Sequence, residues 1–144
     1  MRRMIFVNLP VADVEAAKAF YTAIGFKVNP IFTTEDCASI VAEDNIVLML
    51  LAESRFRDFI VGDIAPRDVT EALVCFSADS REAVDELCDK ALAAGGEQWR
   101  EAQDFGHMYG RSFRDPDGHV IEVMWMDVEA ATGVSPEEAI AAAN

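Results

Sequence analysis

The order of secondary-structure elements predicted from the sequence occurs twice along the chain. In the first half, the extended apolar run MIFVNLPV precedes a helical pattern, with Asp13 as the predicted N-cap and Gly25 as the stop. In the second half, EALVCFSA precedes another helical pattern, with Asp79 as the predicted N-cap and Gly95 and Gly96 at its end. Both helices are followed by three short extended segments. This duplication constrains the fold strongly, because one such unit leaves a sheet face uncovered and a second copy can complete it.

The predicted fold class is therefore α+β, with two βαβββ modules in a single domain. The strands expected after the helices are FKVNPIFT, CASIVAE and NIVLMLL in the first module, and EQWRE, HMYGRSF and HVIEVMW in the second. The predicted parts of the chain are module one at 1–52, a connector at 53–69, module two at 70–127 and a helical tail at 128–144. We expect the connector to be partly helical around 56–60, and Ser135 to cap a short helix in the tail.

Charge and cysteine content exclude several kinds of partner and compartment. The chain has 26 acidic and 12 basic residues, which disfavours nucleic acids and anionic membranes as partners. Its apolar runs are shorter than the ~20 residues that span a bilayer, and we read no signal peptide at the N-terminus. The three cysteines show no C-x-x-C spacing, so neither a disulfide framework nor a zinc knuckle is predicted. These features predict a cytoplasmic protein with reduced cysteines.

A carboxylate lies in the middle of the last predicted strand. Asp115-Pro116-Asp117-Gly118 suits a type I turn, which would join HMYGRSF and HVIEVMW as an antiparallel hairpin. In the strand after the turn, alternation gives Glu122 only apolar neighbours on its own face. A buried carboxylate there needs a partner, because an unpaired buried charge is costly.

The duplicated architecture, the helix ending in FYTAIGF and the closing DPDGHVIEV together resemble the vicinal oxygen chelate superfamily. This superfamily includes glyoxalase I, extradiol dioxygenases and bleomycin-resistance proteins, and the resemblance extends from Ile5 to about Met126. It implies a curved, cup-shaped mixed sheet with helices on the outside, usually within a homodimer. It also implies a small-molecule ligand inside the cup.

In metal-dependent members, the resemblance implies a divalent ion held by residues of the first and last strands of each module. The corresponding positions in this chain are Phe6, Leu48 or Met49, Leu73 and Glu122. Of these side chains, only the carboxylate of Glu122 is a suitable donor for a hard or borderline ion. We therefore expect no metal cofactor, with Zn, Ni or Mn at a relocated site as the alternative.

Five further residues are candidate ligand-binding residues. Asn8 and Cys75 share the alternation of the two first-strand positions, and His107, Tyr109 and Arg111 alternate along the strand beside Glu122. Arg111 is the predicted partner of Glu122, because a guanidinium can form a bidentate contact with a carboxylate. His107 with Glu122 is the candidate relocated metal site. Such a polar row serves either to hold the structure or to orient a ligand.

Other side chains have less specific expected roles. His119 is expected to make hydrogen bonds at the edge of the turn. The aromatic residues that are candidates for pocket lining or for core packing are Phe32, Phe59, Trp99, Phe105 and Trp125.

The sequence supports more than one function and leaves open whether the protein is an enzyme. The first hypothesis is a bleomycin-resistance-like protein that binds a small molecule in the cup without the usual metal. The alternative is a metal-dependent, glyoxalase-like lyase or isomerase that uses Glu122 and a relocated ligand set. A third possibility is catalysis without metal, with Glu122 as base and His107 or Tyr109 as acid.

Overall fold

The computed structural model describes residues 1–143. Module one contains a four-stranded sheet with one long helix against it. Its elements are β1 (Ile5–Val11), α1 (Val14–Ala23), β2 (Lys27–Val28), β3 (Cys37–Glu43) and β4 (Ile46–Ala52), followed in the connector by α2 (Glu53–Arg57). The strand order is β1-β4-β3-β2. β1 is parallel to β4, whereas β3 is antiparallel to both of its neighbours.

Module two repeats this arrangement. Its elements are β5 (Leu73–Ser77), α3 (Arg81–Ala93), β6 (Glu97–Gln98), β7 (Gln103–Asp104), β8 (Met108–Arg114) and β9 (Val120–Met126). The strand order is β5-β9-β8-β6, with β7 also paired to β8, and β5 is parallel to β9. The predicted α+β class and the duplicated βαβββ architecture are confirmed.

Several element boundaries differ from the predictions. The segment FKVNPIFT forms only the two residues of β2 and then a 3-10 turn at Pro30–Phe32, because a proline cannot donate a ladder hydrogen bond. The connector helix, α2, begins at Glu53, earlier than expected. The N-cap of α3 is Ser80, whose Oγ accepts a hydrogen bond from the backbone N–H of Ala83 at 3.0 Å. The prediction of Asp79 as the cap was therefore wrong by one residue.

The tail contains two short helices, α4 (Val128–Thr132) and α5 (Pro136–Ala141). The predicted cap of α5 is confirmed, since Ser135 forms a capping box with Glu138. The helix α4 was not predicted separately. Asn144, the last residue of the predicted tail, lies outside the described residues.

Both modules contribute to one hydrophobic core. Helices α1 and α3 each cover one face of their own sheet, and side chains of both modules belong to the same buried cluster. Phe20 of α1 contacts Phe113 of β8 with ring centroids 6.0 Å apart, and Phe26 contacts Phe76 of β5 at 5.3 Å. In each module, we call the sheet face opposite the helix the open face. Every helix within residues 1–143 is too short or too polar to cross a bilayer.

Candidate functional site

Strand register determines which side chains lie on the open faces. In module one, Asn8 of β1 is paired with Met49 of β4. The next residue along β4, Leu48, is fully buried on the helix side, so Met49 and Asn8 lie on the open face. In module two, Cys75 is paired with Glu122 in the equivalent way. The register therefore selects Met49 rather than Leu48 as the position equivalent to Glu122.

The four positions implied by the family resemblance all lie on the open faces, but their chemistry does not fit a divalent metal. They carry Phe6, Met49, Leu73 and Glu122. Two apolar side chains and a thioether are not ligands for a hard or borderline ion, which leaves one carboxylate. Among the residues that the structure describes, no three His, Cys, Asp or Glu side chains are grouped so that they could hold an ion.

Glu122 lies in a small recess on the open face of module two. Its direct neighbours across the sheet are Cys75 on β5 and Ser112 on β8. The recess has a volume of about 90 Å³ and is also bordered by Arg100, Glu101, Gln103, Met108 and Met124. Partial burial, and secondarily the carboxylate of Glu122, raise the pKa of the Cys75 thiol. The thiol is therefore protonated at neutral pH and is a weak nucleophile.

The predicted pairing of Arg111 with Glu122 is wrong, because the hairpin contains one more loop residue than a simple two-residue turn. The type I turn forms, with the N–H of Gly118 donating to the carbonyl of Asp115 at 2.9 Å. Gly118 then adopts a φ of 89°, and the N–H of Asp115 bonds to the carbonyl of His119. This three-residue loop pairs Glu122 with Ser112, whereas a two-residue loop would have paired it with Arg111.

Arg111 and Tyr109 instead lie on the helix side of β8 and bond to α3. The Arg111 Nη1 lies 2.9 Å from a carboxylate oxygen of Asp85 and 2.9 Å from one of Asp89. The hydroxyl of Tyr109 donates to Asp85 at 2.7 Å. The hydrogen bond from Tyr109, and then that from Arg111, lower the pKa of Asp85. These contacts attach α3 to its sheet and use both side chains to bind α3, although Arg111 also borders the recess of Glu122.

His107 follows the same alternation as Tyr109. Its carbonyl accepts a hydrogen bond from the N–H of Asp127 at 2.7 Å, which continues the β8–β9 register to the end of the hairpin. His107 is therefore on the face opposite Glu122. The relocated metal pair of Glu122 with His107, and the acid–base pairs of Glu122 with His107 or Tyr109, are not brought together in this chain.

The open face of module one is largely apolar and is partly covered by the connector. A recess of about 680 Å³ lies between β1 and the connector. Its lining is Ile5, Phe6, Val7, Asn8, Leu51, Phe56, Phe59 and Ile60. Phe6 and Phe59 are 54% and 64% exposed, which is high for large aromatic side chains. A second recess of about 530 Å³ adjoins the first and includes Phe32, Cys37 and Arg55.

The five aromatic candidates lie in different environments. Phe32 and Phe59 line recesses of module one, whereas Trp125 packs against the shared core. Trp99 is partly buried, and Phe105 is 60% exposed in module two. Phe56 and Ile60 were missed as lining residues, because nothing in the connector sequence indicates that it folds back over β1. The position of Phe6 in the recess could be predicted in part from the sequence, since the alternation of β1 places Phe6 on the same face as Asn8.

A buried polar network joins the β8–β9 turn to module one. Asp115 is 1% exposed and accepts hydrogen bonds from the Tyr21 hydroxyl at 2.7 Å and from the backbone N–H groups of Asp117 and His119 at 2.9 Å. The ring of His119 lies between Glu71 and the carbonyl of Pro10, with both contacts at 2.6 Å. The predicted hydrogen-bonding role of His119 at the turn is confirmed.

Comparison with known proteins supports the same architecture. The sequence model of the bleomycin resistance protein-like N-terminal family matches residues 3–42. No curated protein matches the chain.

Solved structures match over most of the chain. The hypothetical protein SA1046 from S. aureus is 26% identical, with a TM-score of 0.74 over 87% of this chain and 94% of that one. A glyoxalase-related enzyme from Fulvimarina pelagi is 22% identical, with a TM-score of 0.73 over 89% and 91% of the two chains. A lactoylglutathione lyase from Agrobacterium tumefaciens is 22% identical, with a TM-score of 0.64 over 87% and 94%. The solved structures thus share the fold of this chain, and the family model over residues 3–42 agrees with the resemblance to the vicinal oxygen chelate superfamily.

Proposed function

We propose that the protein binds a small, largely apolar molecule on the open face of module one and does not use the metal ion of its metal-dependent relatives. The observation that carries this proposal is the apolar lining at a position where the resemblance implies a metal ligand. Phe6 occupies that position and borders a recess of about 680 Å³ together with Phe56 and Phe59. A recess with an apolar lining and a few polar groups is typical of small-molecule sites.

The polar groups available to such a ligand are few and lie near its expected position. Asn8 borders both large recesses of module one. Its side-chain amide makes only a long contact, 3.5 Å, with the carbonyl of Phe6, so most of its hydrogen-bonding capacity is free for a ligand. Asn8 would therefore orient the ligand, while the aromatic side chains provide the contact area.

A second copy of the chain would complete the site. Within residues 1–143, β1 pairs only with β4 and β5 only with β9, so both have a free edge. Ile5, Phe6 and Leu73 on these strands are each more than half exposed. Free edges with apolar side chains favour association. In a homodimer, the Glu122 recess of one copy would face the apolar recess of the other, and the carboxylate would contact the polar part of the ligand.

The expected working compartment is the reducing cytoplasm. Cys37, Cys75 and Cys88 are all free thiols. Such thiols persist in a reducing compartment.

The test is an equilibrium titration with Nile red, an uncharged apolar dye. We expect wild type to bind the dye, and Phe59→Ala to weaken binding about fivefold to tenfold, because about 1 kcal/mol of aromatic contact is lost. Phe105→Ala is the matched control, since Phe105 is similarly exposed, at 60%, but belongs to module two. Absence of dye binding by wild type, or equal weakening by both substitutions, would contradict the proposal.

A further inference from the structure

His119 lies where three parts of the chain meet. The side chain is 8% exposed and is enclosed by the end of β1, the segment before β5 and the β8–β9 turn. Its Nδ1 is 2.6 Å from Oε1 of Glu71, and its Nε2 is 2.6 Å from the carbonyl oxygen of Pro10. Both nitrogens therefore make short contacts with groups that are distant in sequence.

If Glu71 is ionised, only the doubly protonated ring satisfies both contacts. The carboxylate of Glu71 and the carbonyl of Pro10 are acceptors and have no hydrogen to donate. A neutral imidazole has one N–H, so its second nitrogen would direct a lone pair at an oxygen 2.6 Å away. With Glu71 ionised, the geometry therefore favours the imidazolium form of His119.

The surrounding charges favour the same form. The charged groups on this side of the molecule are Asp115 and Asp117 of the turn, Glu71 before β5, Glu53 and Arg57 of α2, and Asp63 and Arg67 of the connector. Burial lowers the pKa of His119, but Asp115, the Pro10 carbonyl and Glu71 outweigh it, so the pKa lies above its usual value.

The same contacts border the open face of module one. A recess of about 280 Å³ is lined by Asn8, Phe56, Ile60 and Glu71 together with His119. Phe56 and Ile60 also line the large apolar recess proposed as the ligand site. His119 and Glu71 thus border the same recess as Phe56 and Ile60, which line the proposed ligand site.

We propose that His119 is a pH-sensitive switch that controls the ligand site of module one. While the ring is charged, it holds Glu71 against the end of β1 and keeps the connector over Asn8. When the ring loses a proton, Glu71 is released, because its side chain is 34% exposed and can turn to water, whereas the carbonyl of Pro10 is fixed in β1. The connector wall then loosens and the site binds more weakly. This inference rests on the proposed function, whose ligand site it regulates.

The first experiment measures the protonation of His119 directly. The chain has two histidines, so His107→Asn leaves a single ring to follow by NMR. We expect two protected ring N–H signals at neutral pH and a titration midpoint above the ordinary value of about 6.5. Glu71→Gln is expected to lower the midpoint, and Glu43→Gln, which changes an exposed carboxylate in the β3–β4 turn, is expected to leave it unchanged. A ring with a single N–H at neutral pH would overturn the proposal.

The second experiment links His119 to the site. Nile red affinity is measured across the same pH range, and we expect it to fall severalfold as pH rises through the NMR midpoint. Glu71→Gln should move the midpoint and the loss of affinity to lower pH together. A midpoint that moves without any change in the dye curve would overturn the switch.

A different result would show that the proposed ligand site, and not the switch, is wrong. If wild type binds no Nile red at any pH, the proposed function is wrong, and the switch is then judged by hydrogen exchange of the connector amides. The amides to follow are those of Phe59 and Val69, which bond to the carbonyls of Phe56 and Pro66. Because intrinsic amide exchange is base-catalysed, each rate is divided by the intrinsic rate at the same pH. A fall in the resulting protection above the His119 midpoint would support the switch, and unchanged protection would overturn it.

Discussion

At the level of single residues, the most constrained group is the carboxylate of Asp115. It is almost fully buried and accepts the hydroxyl hydrogen of Tyr21, which is also fully buried. Burial is the main cause that raises the pKa of Asp115, whereas the hydrogen bond from Tyr21 acts in the opposite direction. Removing that donor would leave a buried oxygen without a partner, which is more costly than the bond itself is stabilising.

We predict that Tyr21→Phe lowers the free energy of unfolding by ~1–3 kcal/mol. Tyr109→Phe is the matched control, because its hydroxyl donates to Asp85, whose side chain is 48% exposed and can bond to water instead. The loss in Tyr109→Phe should be below about 1 kcal/mol. Urea unfolding of both variants measures the difference. Equal losses would contradict the prediction that the buried hydrogen bond to Asp115 stabilises the fold more than the exposed one to Asp85.

His119 should also make stability depend on pH. Its pKa in the folded state is raised, so its stabilising contribution is complete below the pKa of an unfolded histidine and is lost as pH rises through the folded value. We predict that the free energy of unfolding of wild type decreases over this range. His119→Asn should lack that part of the decrease when urea unfolding is repeated from pH 6 to pH 9. Parallel curves for the two proteins would contradict this prediction.

At the level of elements, the β8–β9 hairpin determines what surrounds Glu122. Hydrophobic alternation correctly predicts both strands, and the Asp-Pro-Asp-Gly sequence correctly predicts the turn. The predicted partner of Glu122 was nevertheless wrong. One additional loop residue, Gly118, shifts the pairing of β8 with β9 by one residue, so Ser112 and not Arg111 is paired with Glu122. The pairing register between two strands depends on the backbone of this one residue, which the alternation of each strand does not encode.

We predict that Gly118→Ala destabilises the protein by ~1–2 kcal/mol, because a side chain is unfavourable at positive φ. The added Cβ would also lie 2.8 Å from Cγ of Arg67. Gly110→Ala is the control, since its nearest contact would be an ordinary 3.6 Å to the carbonyl of Val123. Thermal unfolding of the two variants provides the comparison, and an equal change would show that the loop conformation carries no strain.

At the level of the whole molecule, the duplication was predictable from the sequence, whereas the apolar recess of module one was not. The two βαβββ units follow from strand patterns, helix caps and turn residues. The recess depends on a connector that folds back over β1 and contributes Phe56 and Ile60. That contact joins segments far apart in sequence and has no periodic signal, so only the folded chain shows it.

The free edges of β1 and β5 give a prediction about assembly. We expect a dimer in analytical ultracentrifugation, and we expect Leu73→Asp to raise its dissociation constant about tenfold or more, because a charge replaces an apolar contact. Ile140→Asp is the control, since Ile140 is 73% exposed in α5, away from these strands. A monomeric wild type, or a dimer equally weakened by both substitutions, would contradict the proposed interface.

We propose that the chain lacks the metal ion of its metal-dependent relatives, because Phe6, Met49 and Leu73 offer no donors at three of the four positions where the resemblance implies ligands. Equilibrium dialysis against Zn²⁺, Ni²⁺ or Mn²⁺, followed by metal analysis, tests this most directly. We predict less than about one equivalent per pair of chains for wild type, and binding in the variant with Phe6→His, Met49→Glu and Leu73→His, which restores nitrogen and oxygen donors. Stoichiometric metal in wild type that is lost in Glu122→Gln would contradict the claim.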